Sequence, residues 1–190
     1  MELGQTLYVK DRKSWRAWLA KNHRTKKEIW LVYYRKATGK PRIPYNDAVE
    51  EALCYGWIDS IIKHLDRERF VQRFSPRRKT SGFSQANKER VRNLIARRRM
   101  TRAGLDALAH VFDPADDKPG LFTIADDILK PLKINKPAWR NFQRLPAGYR
   151  RIRIAYIESR RRQGKEAFRR SLLNFIKMTA QNKRFGFIRE

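Results

Sequence analysis

A change of hydrophobic period at Pro76 constrains the fold more than any other feature of this sequence. Before it, three segments carry β-branched and aromatic residues in strand-like runs: Glu28 to Arg35, Trp57 to Leu65 and Glu68 to Ser75. In the third, Phe70, Gln72 and Phe74 alternate with Val71 and Arg73, the two-residue period of a half-buried strand. Asp66-Arg67 between the last two runs predicts a hairpin turn. After Pro76 the apolar residues fall three and four apart, the spacing of amphipathic helices. The fold class expected is α+β: a small, about three-stranded antiparallel sheet with helices, followed by a C-terminal helical section.

Helices are also expected among and after the strands. Asp11 to Asn22 places Trp15, Trp18 and Leu19 on one face. Pro44 to Tyr55 carries the stripe Ala48, Val49, Ala52 and Leu53, with Asn46 as the expected cap and Gly56 as the stop. Ser84 caps a helix running to about Arg99, and Thr101 caps another through about Val111. Beyond these, Ile124 to Leu132, Pro137 to Arg144, Pro146 to Arg162 and Lys165 to Asn182 read as helices, with Gln163-Gly164 breaking the last two apart. The polar stretch Asp113 to Gly120, DPADDKPG, is the expected boundary. Residues 1–112 form the expected α+β core, 113–120 an acidic Pro/Gly linker and 121–190 a helical section packing on the core.

Charge bounds the partners. The 190 residues hold 45 Lys/Arg and 19 Asp/Glu, a net +26, while 41% are hydrophobic, enough for a core. Self-repulsion of this size opposes a compact state unless an anionic partner or counter-ions screen it. The charge is uneven: residues 60–102 carry a net +11 and 130–190 a net +15, flanking a net −5 over 103–129. An anionic partner is therefore expected, with nucleic acid as one candidate and a protein partner as another. The acidic stretch is expected to shield a basic block in part. One cysteine, Cys54, excludes an internal disulfide and fits a reducing compartment. No signal-peptide-like or membrane-length apolar run is present, so the expected location is cytoplasmic with no membrane span.

Known chemistries find little support. His23, His64 and His110 are far apart and lack paired ligands, so neither a metal nor any other cofactor is expected. Cys54 lies on an apolar helical stripe and is expected to be a buried small hydrophobe rather than a nucleophile. Gly39-Lys40 and Gly164-Lys165 are isolated dipeptides, not phosphate loops, and no Gly-x-Ser-x-Gly or His-Glu-x-x-His occurs. Asp59 stands out as a carboxylate in a strand beside an arginine-rich one, and a salt bridge to Arg73 or Arg77 is the expectation. Arg73-Phe74-Ser75-Pro76-Arg77-Arg78 leads into the cap at Ser84; guanidinium forks and a helix start both suit phosphate or carboxylate.

These residues also carry a family likeness. Ala52-Leu53-Cys54-Tyr55-Gly56-Trp57-Ile58-Asp59-Ser60 and Phe74-Ser75-Pro76-Arg77, with Trp15, Trp18, Asn87, Val91 and Gly104, resemble the YdeI/OmpD-associated, or bacteriocin-protection, family over about residues 7–105. Phe83 stands where tryptophan is expected and keeps the aromatic character. Pro146-Ala147-Gly148-Tyr149-Arg150-Arg151 and Phe168-Arg169-Arg170 are similar to that family's helical tail. The resemblance implies a bacterial binding or stress-protection protein, linked to bacteriocin tolerance and a porin, and no catalytic activity.

Three functions follow as expectations. The first is a non-catalytic small-anion or peptide-binding site at Trp57, Asp59, Arg73, Arg77, Arg78, Ser84 and Asn87. The second is nucleic-acid binding through the two basic blocks, at Arg97, Arg98, Arg99, Arg150, Arg151, Arg160, Arg161, Arg162, Arg169 and Arg170. The third is an unrecognised enzyme with a cleft around Asp59, Arg73 and Arg77.

Overall fold

A computed structural model describes residues 3–115, 117, 120 and 122–186. Of the expected linker, positions 116, 118 and 119 lie outside the described residues. The chain divides into two compact units: Met1–Phe83 with Arg90–Ala115, and Ser84–Glu89 with Asp116–Glu190. The fold is α+β with a C-terminal helical region, and 53% of it is helical.

The first unit is built on a sheet of four strands: β1 (Thr6–Tyr8), β2 (Ile29–Tyr34), β3 (Trp57–His64) and β4 (Arg69–Pro76). Their order is β1-β2-β4-β3. The sheet has one strand more than the sequence suggests and is mixed, because β1 pairs parallel to β2 while the other pairs are antiparallel. Three residues without a turn signal hold no recognisable period; the pairing of Thr6, Leu7 and Tyr8 with Trp30, Leu31 and Val32 makes that segment a strand.

Two helices, α1 (Arg12–Asn22) and α2 (Tyr45–Cys54), join the strands. Asp11 caps α1, its carboxylate accepting from the Ser14 amide at 2.8 Å. Pro44, not Asn46, is the cap residue of α2. Asn46 sits inside the helix, where its Oδ1 accepts from Arg90 Nη2 at 3.0 Å. Ile29, Leu31, Tyr33 and Phe74 join Trp15, Leu19, Ala48, Leu53 and Trp57 in one core. Trp18 stacks on Trp15 and meets Trp57 edge-on, and Trp15 meets Phe74 edge-on, at centroid distances of 5.3, 5.8 and 5.4 Å. Such pairs add about 0.5–1.5 kcal/mol each beyond burial. The other sheet face buries Trp30, Val32 and Val71.

The β3–β4 hairpin contains the irregularity that positions the candidate site. Near the turn, His64 pairs with Phe70 and Ile62 with Gln72; past Ser60 and Ile61 the register shifts, so Asp59 pairs with Phe74 and Trp57 with Pro76. One extra residue on β3 is a bulge, and a one-residue slip exchanges the two faces of a strand. Without it, Asp59 would stand opposite Ser75. With it, Trp57 and Asp59 share the core face of Phe70, Gln72 and Phe74.

Helices α3 (Gln85–Ala96) and α4 (Arg102–Leu108) follow. The first turn of α3 belongs to the second unit and its remainder to the first. Ser84 Oγ accepts from the Asn87 amide, and Thr101 Oγ1 from the Gly104 amide, as expected of caps. The second unit holds α5 (Asp126–Ile134), α6 (Lys136–Arg144), α7 (Ala147–Ser159) and α8 (Lys165–Ala180) around Ile128, Leu132, Phe142, Ile154, Ile157, Leu172, Phe175 and Ile176. Gly164, at φ 104°, makes the break before α8 in a conformation that favours glycine. No described helix is long and apolar enough to cross a membrane.

Candidate ligand-binding site

The structure separates the expected constellation into distinct environments. Trp57 is core, 1% exposed, and its Nε1 donates to the His23 carbonyl at 3.2 Å. Asp59 has no arginine partner among the described residues. Its Oδ2 accepts from Gln72 Nε2 at 2.7 Å and from the Tyr45 hydroxyl at 3.0 Å. Burial, with the charge of Asp59 behind it, pushes the Tyr45 hydroxyl up to about 12. Burial raises the Tyr33 hydroxyl in the same way, and that hydroxyl has no hydrogen-bond partner among the described residues.

Arg73 faces away from Asp59. It neighbours Phe74 in β4 and therefore points to the opposite side of the sheet. There its Nε and Nη2 both reach Glu28 Oε2 at 2.7 Å. The hydrogen bond from Arg73 is the first reason the Glu28 carboxyl is held below its ordinary value. Asp59 and Arg73 therefore do not share one cleft, contrary to the expectation that grouped them with Arg77.

Arg77 is the exception among these residues. The β4 strand ends at Pro76, and the Arg77 amide donates to the Gly56 carbonyl at 2.9 Å. Its side chain folds back along the following loop, where Nη2 donates to the Gly82 carbonyl and the guanidinium covers the Phe83 ring at 4.8 Å. The residue is only 9% exposed, yet Nε and Nη1 have no hydrogen-bond partner among the described residues. Burial without a compensating carboxylate lowers its pKa. Arg78 and Lys79 beside it are exposed, and the Ser81 amide closes a turn onto the Arg78 carbonyl at 3.0 Å. Ser84, exposed, and Asn87, half-buried, lie in the second unit.

A buried charge cluster escaped the sequence reading. Glu51, fully buried on α2, accepts from Arg12 Nε at 2.5 Å, Arg16 Nη1 at 2.6 Å and Arg99 Nη2 at 2.6 Å. Burial raises the Glu51 carboxyl, but the three hydrogen bonds outweigh it and the net shift is downward. Its signal was present: Glu51 stands beside Ala48 and Ala52 on the apolar stripe, where a carboxylate needs partners. Cys54 is buried and free, and burial followed by the Glu51 charge pushes its thiol up to about 11. Among the described residues no three His, Cys, Asp or Glu side chains gather to hold a metal ion.

The expected nucleic-acid residues fall into two groups. Arg99 is spent on Glu51, Arg151 grips Glu89 with Nε and Nη2 at 2.7 and 2.9 Å, and Arg161 binds Asp127 and Glu158. Arg150 and Arg160 cover the rings of Phe142 and Tyr156, and Arg170 stands 3.7 Å from Glu166. Arg97, Arg98, Arg162 and Arg169 are exposed. The acidic stretch is matched locally, Asp106 by Arg102, Asp126 by Lys130 and Asp127 by Arg161.

Comparison with known proteins divides the chain at nearly the same place as its charge does. No curated protein matches it, and no solved structure does. A family model described as bacteriocin-protection, YdeI or OmpD-associated matches residues 122–182, the helical tail that bore the weaker part of the resemblance. The segment with the Gly-Trp-Ile-Asp-Ser and Phe-Ser-Pro-Arg motifs is matched, over residues 7–107, by a model described as a domain of unknown function, DUF8412. Behind that domain the chain is similar to the YdeI or OmpD-associated family over residues 122–182, while the match over residues 7–107 spans more than half of the sequence, so the chain belongs to the DUF8412 family.

Proposed function

We propose that this is a non-catalytic binding protein whose first unit takes a small oxyanion, phosphate or carboxylate, at Arg77. One observation carries the reading: an arginine nine-tenths buried, with the donors of Nε and Nη1 unspent and no carboxylate beside it among the described residues. A buried donor left unmade costs about 1–3 kcal/mol, and more when charged. An arginine that only packed would be replaced at no loss by an apolar side chain of similar size. An oxyanion supplies the missing acceptors and the missing charge together. The bacteriocin protection printed in the name of the matched tail family agrees with a binding protein and requires no chemistry.

Thermal unfolding with and without phosphate tests this. Phosphate at a hundred times its dissociation constant should stabilise the wild type by about 2.7 kcal/mol. Arg77→Met should be at least as stable as the wild type without phosphate and should not respond to it. An unresponsive wild type, or a Met variant that responds equally, refutes the reading.

A further inference from the structure

The second unit carries an unneutralised row of cations that the ligand site does not use. Between residues 122 and 182 the chain holds 15 Lys/Arg and 4 Asp/Glu. Helix α8 turns Leu172, Phe175, Ile176 and Thr179 inward. Its outer side exposes Lys165, Arg169, Leu173 and Lys177 at four-residue spacing. Along the helix axis Lys165 and Arg169 stand about 6 Å apart and Arg169 and Lys177 about 12 Å. Among the described residues none of Lys165, Arg169 and Lys177 has a carboxylate partner, whereas Arg161 and Arg170 on the same unit do. Exposed cations held this close repel one another and gain from a polyanion of regular spacing.

We infer that the outer face of α8, through Lys165, Arg169 and Lys177, is a sequence-independent interface for the phosphate backbone of double-stranded nucleic acid. Three observations select this partner. The apolar side of α8 is spent in the core, and Leu173 is the one large apolar residue on the exposed row, so insertion into a lipid surface lacks the free apolar face it needs. Stacking on single-stranded bases needs exposed rings; among the described residues of this unit Tyr156 is the exposed aromatic, and Arg153 and Arg160 cover it. The row offers two ammonium groups and a single guanidinium, with no cluster of Asn, Gln and Arg forks for base edges, which suits backbone contact.

The experiment is fluorescence anisotropy of a labelled DNA duplex against salt, on the full chain. Each phosphate neutralised contributes about −0.9 to the log–log slope on duplex DNA. The variant with Lys165→Gln, Arg169→Gln and Lys177→Gln should lose about 2.7 of that slope, and Arg169→Gln alone about 0.9. A control with Lys10→Gln, Lys13→Gln and Arg24→Gln, equally exposed and on the first unit, removes the same charge and should leave the slope nearly unchanged. Circular dichroism checks that each variant is folded. Equal losses in the triple variant and the control overturn the assignment to α8, as does wild-type binding to phosphatidylserine vesicles but not to duplex. Arg77→Met should bind duplex as the wild type does, which separates this interface from the oxyanion site.

Discussion

Glu51→Gln removes one negative charge from a fully buried position and keeps the shape of the side chain. Arg12, Arg16 and Arg99 lose a charged acceptor at 2.5–2.6 Å. The new amide also presents an N–H group to guanidinium donors. Removing one partner of a buried ion pair costs about 3–5 kcal/mol. The three arginine side chains are 27%, 31% and 36% exposed and can rehydrate, and Arg12 keeps its contact with Glu50. The lower end, about 3 kcal/mol, is therefore expected, a large part of the ~5–15 kcal/mol of a typical domain. It corresponds to a fall in Tm of about 6–12 °C for a chain of this size.

Urea unfolding followed by tryptophan fluorescence reads the effect, because Trp15, Trp18, Trp30 and Trp57 all lie in the first unit. The pH dependence adds a second signature. The Glu51 pKa is depressed in the folded state from its ordinary 4.5. A depressed carboxylate contributes stability that is complete above the unfolded value and is lost as pH falls through the folded one. Wild type and Glu51→Gln should therefore converge below about pH 4.5. A loss under about 1 kcal/mol at neutral pH, or parallel pH curves, refutes the view that this cluster holds α1, α2 and Arg99 together.

Other outcomes follow from single contacts. Gly104→Ala places a Cβ 2.2 Å from the Cys54 carbonyl oxygen and 2.6 Å from its carbon, and both belong to backbone that resists displacement. A loss of about 1–3 kcal/mol in urea unfolding is expected. Asp59→Ala leaves the Gln72 amide, in a residue 3% exposed, without its acceptor, at a cost of about 1–3 kcal/mol by the same assay. Cys54, with its thiol raised to about 11, should react with a disulfide reagent only as fast as the first unit opens, so added urea should accelerate labelling steeply.

Much of the fold was legible because it rests on period and caps. Asp11, Ser84 and Thr101 announce their helices through side-chain oxygens that accept amides three residues on. The strand at 69–76 shows its alternation and the one at 29–34 an unbroken run of aliphatic and aromatic residues. Thr6–Tyr8 is too short for that, and its pairing with β2 is decided in three dimensions. The Asp59–Arg73 pairing failed for a related reason. Both residues sit on neighbouring strands, but antiparallel register sets which face each takes, and a bulge at Ser60–Ile61 resets it halfway along. No residue type at Ser60 or Ile61 signals that bulge. Arg77 was legible as a candidate, but its isolation was not. That depends on Gly82 and Phe83 folding back to occupy Nη2 and one ring face while the other nitrogens stay unspent.

The central claim concerns one guanidinium, and nitrogen-15 NMR of the arginine side chains reads it directly. Phosphate titrated into the labelled protein should shift the Nε–H resonance assigned by its absence in Arg77→Met, saturably and before the exposed arginines respond. An Arg77 resonance that stays fixed while phosphate moves the surface arginines would contradict the account.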